Sequence, residues 1–175
     1  MSYNIFNTVH RPLKLALLTT CLHLSNKKRF HLKEAVNSTY KINEVLHIFK
    51  EQIEYENDVI LPLVFEYEPA IANQYLEQHN EQMDQMHELQ RRLKSFGDTE
   101  SELQQFETLT AVSKVFDAFL LSNYHHMDDE EETLNQVLSC YYSKSFLMEL
   151  PLTNILRGLN RNYGQTKIIH AASAA

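Results

Sequence analysis

Residues 116–130 read FDAFLLSNYHHMDDE. Phe116, Phe119, Asn123, His126 and Glu130 step by three, four, three and four, which keeps them on one face of an α-helix. The stripe opens with two core aromatics and ends in an imidazole and a carboxylate one helical turn apart. An i, i+4 pair shares a face, so a single helix offers His126 and Glu130 to the same interior point. The surrounding chain favours a long helix: residues 98–150 contain neither glycine nor proline.

The same periodicity extends outward from this stretch. Helix one is expected from about Thr8 to Leu24, with Leu13, Leu17 and Leu24 inward. Pro12 is tolerable within a first turn, where its missing N–H goes unneeded, and that places His10 at the helix start. Helix two is expected from Leu32 to about Leu61 on the stripe Val45, Phe49, Gln52, Glu56, Ile60, followed by a break at Glu66–Pro69. Helix three is expected from Ala70 to Ser95, with Leu76, His79, Met83, Met86 and Leu93 inward and Gly97 as its stop. Helix four is expected to open with a Thr99/Glu102 capping box and to run to Leu138, with Leu109, Phe116, Phe119 and Val137 inward.

Long helices joined by short connections imply an all-α, up-down-up-down four-helix bundle. We place the bundle at residues 1–138. Residues 139–175 form a C-terminal extension with short helices expected at 146–150 and 154–160 and a frayed Ala-rich end.

Six polar residues, His10, Gln52, Glu56, His79, His126 and Glu130, interrupt the apolar stripes from within. Counting about 1.5 Å per residue, all six fall within roughly 10 Å of one level in an antiparallel bundle. Buried ionisable groups are costly unless paired or bound to metal. Three imidazoles and two carboxylates without thiolate suit iron, manganese or zinc. The competing reading is a hydrogen-bonded polar core, in which each histidine pairs with a carboxylate. A further ExxH spacing, Glu44 and His47, occurs once, whereas ferritin-like di-iron bundles need it twice. His125 points away from His126. Apart from Glu130, the acidic run Asp128–Glu132 is expected to be a solvated face.

At these residues the chain resembles the hemerythrin-like (HHE cation-binding) family. Tyr124–Glu132 is similar to its fourth-helix HxxxE segment, Leu76-Glu77-Gln78-His79 to its third-helix histidine segment, and Phe6–Arg11 to its first-helix opening. Gln52-Ile53-Glu54-Tyr55-Glu56, with Pro62 trailing, aligns with the second-helix HxxxE, and Gln52 stands in the histidine's place. The resemblance covers about residues 5–138. It implies a carboxylate-bridged di-iron centre with His10, His79 and His126 as terminal ligands and Glu56 and Glu130 bridging. The implied roles are binding or sensing O2 or NO, or handling iron, rather than enzymatic turnover. With an amide in place of an imidazole, the expectation is a weaker site: partly filled, mononuclear or empty on purification. The alternative is a metal-free structural bundle.

The remaining composition narrows the function classes. The net charge of −7 argues against affinity built on nucleic-acid phosphates. Cys21 and Cys140 are too few for a disulfide framework and fit a reducing compartment. Residues 15–24 (LALLTTCLHL) imitate a signal peptide, but Ser25-Asn26-Lys27-Lys28-Arg29 follows instead of a small-residue cleavage site. The expectation is a cytoplasmic protein without a membrane span.

Overall fold

The computed structural model describes residues 3–25, 32–97 and 101–151. All regular structure among them is helical: α1 (Asn7–Ser25), α2 (Leu32–Tyr55), a π-helical turn (Glu56–Ile60), α3 (Leu61–Phe65), α4 (Pro69–Gly97), α5 (Glu102–Tyr141) and α6 (Lys144–Glu149). No described helix is long and apolar enough to cross a membrane. Thr99 and residues 154–160 lie outside the described residues. Ser101 caps α5 in extended conformation, without a side-chain hydrogen bond to the helix.

Side-chain contacts give the relative senses of α1 and α5, of α1 and α2, and of α4 and α5. On α1 and α5, Ile5 N–H donates to Asn135 Oδ1, Lys14 Nζ to Asp128 Oδ1, and Cys21 Sγ to Asp117 Oδ1. The partner numbers fall on one helix as they rise on the other. On α1 and α2 the pairs are His10 with Glu56 and His23 with Lys41. Tyr75 and Gln78 of α4 meet His126 of α5, and Glu68 beside α4 meets Tyr141 at the end of α5.

Helix two departs from the expected single α-helix. Leu61 N–H bonds Glu56 O, the i→i+5 bond of a π turn, and Pro62 then falls in the first turn of α3, where no N–H is required. Single π turns inside α-helices are often found at functional sites. Here the extra residue lets both Glu56 and its neighbour Asn57 reach the same histidine (below).

Pro12 lies inside α1, more than a turn beyond its start at Asn7. The first-turn placement is therefore wrong, and Thr8 O loses the amide that would normally bond it. Leu76 is also misplaced. It is exposed, and Met83 is half-buried, because the inward face of α4 is Ala72, Tyr75, His79, Gln82, Met86, Leu89 and Leu93. The true face includes Tyr75 and Gln82, whose polar tips disguise it. Val137 is half-buried, and Leu134 and Leu138 are the core residues at that end.

The apolar interior comes in two main blocks. One gathers Leu13, Leu17, Phe49, Met86, Phe116 and Phe119. The other gathers Ile5, Phe6, Ile60, Tyr75, Leu134 and, from α6, Leu147. On every long helix the interrupting polar residues fall between or beside these blocks. The burial of both blocks therefore fixes the level at which the polar side chains meet.

Candidate metal centre

His10, Glu56, His79, His126 and Glu130 are all buried, and so is Gln52. They converge as two groups of donor atoms, His79–His126–Glu130 and His10–Glu56–Glu130, each with its atoms within 4.8 Å of one another. In the first group, His79 Nε2 and His126 Nε2 are 3.1 Å apart. Each stands 3.2 Å from Glu130 Oε1. In the second, His10 Nε2 lies 3.3 Å from Glu56 Oε1 and 3.5 Å from Glu130 Oε2. Glu56 Oε2 turns the other way, to 3.7 Å from His79 Nε2. Each carboxylate thus presents one oxygen to each group.

The outer faces of the imidazoles are fixed by acceptors. His10 Nδ1 donates to Glu131 Oε1 at 3.1 Å, His79 Nδ1 to Asn57 Oδ1 at 2.6 Å, and His126 Nδ1 to Gln78 Oε1 at 2.9 Å. Holding the hydrogen on Nδ1 leaves Nε2 to face the centre, the arrangement that orients metal-ligating histidines. Two inward lone pairs 3.1 Å apart repel unless a proton or a cation lies between them.

These side chains fit a metal ion. Two ligands at about 2.1 Å from one ion are about 3.2 Å apart when they subtend roughly 100° there, which matches all three edges of the His79–His126–Glu130 triangle. Two histidines and one carboxylate in such a triangle, without thiolate, form a donor set that suits divalent ions such as iron, manganese or zinc. Glu130 Oε2 is buried without a hydrogen-bond partner among the described residues, as an oxygen awaiting a ligand would be.

The electrostatics show how the cluster balances itself without an ion. Burial alone would lower the His10 pKa, but hydrogen bonds to Glu131 and Glu56 and the charge of Glu130 outweigh it and raise the value to about 9. For His79, burial is again outweighed, by Glu130 and Glu56, and its pKa is also raised. Burial would raise Glu130, yet His126 and His79 hold it well below the usual carboxylate range. Both raised values favour protonated imidazoles, and the lowered one favours an ionised Glu130, so the cluster's charges offset one another.

Gln52 occupies the position where the resemblance expects an imidazole. Its Nε2 donates to Glu56 Oε1 at 2.8 Å, and its Oε1 is buried without a hydrogen-bond partner among the described residues. The acidic run behaves differently from expectation at one residue. Glu131 is half-buried and ties His10 Nδ1 to Lys14 Nζ, 2.8 Å away. Lys14 also reaches the exposed Asp128. Asn57, Gln78 and Glu131 were not singled out from sequence. Their one signal is position: each is the immediate neighbour of Glu56, His79 or Glu130.

The ferritin-like alternative fails on geometry. His47 is 68 % exposed at its side chain and pairs with Glu51 on the same outer face, so Glu44–His47 does not look into the bundle. His125 and His87 are exposed, and His31 and His170 lie outside the described residues. No protein-family model, curated protein or solved structure matches this chain. The buried His/Glu cluster can hold a metal ion, and its geometry carries the functional argument alone.

Proposed function

We propose that the chain is a non-haem iron-binding protein of the hemerythrin-like type. It would be an up-down-up-down four-helix bundle over residues 1–138, with residues 139–175 as an extension, working in the cytoplasm. His10, Glu56, His79, His126 and Glu130 bring together the donor atoms among which its metal would be held. The observation that carries the reading is the sharing of Glu130 between two buried donor groups whose imidazoles are all braced at Nδ1. Ferrous iron held there would supply an electron-rich ion with open positions for a diatomic gas, O2 or NO.

The chain's own residues contribute the rest. The two apolar blocks exclude bulk water, which strengthens every charge interaction at the centre. Asn57, Gln78 and Glu131 keep the imidazoles aimed. The cavity beside His10, lined by Ile5, Phe6, Gln52, Tyr55 and Glu56, measures ≈ 10 Å³. That is room for about one water-sized molecule and selects against organic substrates, which supports binding or sensing over turnover.

The direct test is anaerobic reconstitution with ferrous iron followed by metal analysis. The expected result is about one tightly held iron per chain or more, lost in His126→Ala. Retention below that level, unaltered by the substitution, rejects the proposal.

One observation favours a second reading. The Gln52–Glu56 bond, together with the upward pKa shifts of His10 and His79, favours a cluster closed as a metal-free ionic core. A structural bundle of that kind melts at the same temperature with and without a chelator, whereas a bound ion raises the melting temperature.

A further inference from the structure

The two donor groups are unequal. The His79–His126–Glu130 triangle has edges of 3.1, 3.2 and 3.2 Å, whereas His10 stands 3.3 and 3.5 Å from its carboxylate oxygens. The first group brings two imidazoles to one point and the second brings one. In the second group, Glu56 Oε1 already accepts an N–H from Gln52 at 2.8 Å. That amide directs the positive end of its dipole at the oxygen a second cation would need.

We propose that this chain holds a single divalent metal, seated by His79, His126 and Glu130. His10 and Gln52 then serve as positioning residues: both hydrogen-bond Glu56 Oε1, and His10 faces Glu130 Oε2 at ion-pair distance. The inference rests on the metal-binding reading above and deepens it by assigning occupancy.

Charge argues the same way. Glu56 and Glu130 bring two negative charges into a site with almost no solvent. One divalent ion balances them. A second would leave a buried surplus of positive charge, which costs several kcal/mol unless further anions enter. The space beside His10 admits about one water, and Gln52 and Tyr55, which line it, carry buried oxygens without a hydrogen-bond partner among the described residues, which suit a water better than another cation. His10 is committed at both ring nitrogens, Nδ1 to Glu131 and Nε2 between Glu56 and Glu130. It can therefore hold both carboxylates in place without being a ligand.

The experiment titrates the chelator-stripped full chain with Mn(II) without oxygen, reading bound metal by analysis and its electron paramagnetic resonance. The expected result is about one Mn(II) per chain with the spectrum of an isolated ion. His10→Gln should keep the stoichiometry at one ion and weaken its binding less than His126→Gln does. His126→Ala, and the milder His126→Gln, should weaken it by about tenfold or more. Circular dichroism checks that each variant keeps its helices. Two bound ions with an exchange-coupled spectrum overturn the inference while leaving the metal-binding reading intact. Loss of the single ion in His10→Gln as severe as in His126→Gln overturns it as well. If neither Mn(II) nor Fe(II) binds, both fall together.

Discussion

Replacing Glu130 by alanine strikes the one residue common to both donor groups. Its side chain is fully buried, with Oε1 3.2 Å from His79 and His126 and Oε2 3.5 Å from His10. Alanine removes the anion that helps to raise the pKa of His79 and His10 and leaves three imidazoles buried. Breaking a buried charge pair from one side costs about 3–5 kcal/mol. In a chain of this size 1 kcal/mol moves the melting temperature by roughly 2–4 °C, so the metal-free variant should melt about 6–20 °C below the parent. The exposed neighbour Asp129 is the control, and Asp129→Ala should stay within about 0.5 kcal/mol. Ferrous iron at a hundred times its dissociation constant adds about 2.7 kcal/mol to the parent. Glu130→Ala should gain none of it. Thermal melting by circular dichroism, with chelator and with iron, measures both terms. A variant melting within about 2 °C of the parent and still stabilised by iron would refute the claim that Glu130 is the shared centre of the cluster.

Gln52→His restores the imidazole that the second group lacks and should raise iron affinity or add a second ion. No gain on metal titration would count against placing Gln52 at that ligand position. Gln78→Ala removes the acceptor from His126 Nδ1. Loss of such an outer partner typically weakens metal binding 10–100-fold, so calorimetric titration should show a drop of that order with the helices intact. The metal-free chain should also respond to pH. The raised His10 pKa, about 9 against an ordinary 6.5, contributes stability that is full below about pH 6.5 and is lost as pH rises through about 9. A melting temperature in chelator that stays flat across that window, or an equal slope in His10→Gln, would disprove the contribution.

Much of this architecture is legible in single residues. Phe116, Phe119, Asn123, His126 and Glu130 all prove buried, because a strict three–four step on a helix free of glycine and proline leaves one way to face the core. Helix two was equally clear up to Glu56. The π turn beyond it was not, since the steps of four from Gln52 to Glu56 and on to Ile60 suit an α-helix as well, and Pro62 gives no sign that the turn before it has widened. On α4, reading Leu76 as core shifted part of the stripe by one residue. Hydrophobicity favoured Leu76 over Tyr75, yet Tyr75 is the larger buried surface and packs its ring 5.6 Å from His126.

The partners of the imidazoles escaped for a different reason, and it bears on how such a centre is built. A helix presents a ligand residue inward, and its chain neighbour lies about 100° around the axis, pointing along the seam with the next helix. Glu131, Asn57 and Gln78 occupy those seam positions, where a polar side chain looks like ordinary surface. Each reaches back across the seam to an Nδ1 on a different helix: Glu131 of α5 to α1, Asn57 of the π turn to α4, and Gln78 of α4 to α5. The inner donors therefore cannot turn independently. Rotating α4, α5 or the π turn moves a donor side chain on it and also the brace of a donor on its neighbour. The packing that aligns the four rods and the hydrogen bonds that aim the histidines are thus one constraint. That coupling lets a buried, charged layer survive between two apolar blocks whether the charges at its centre are protons or a metal ion.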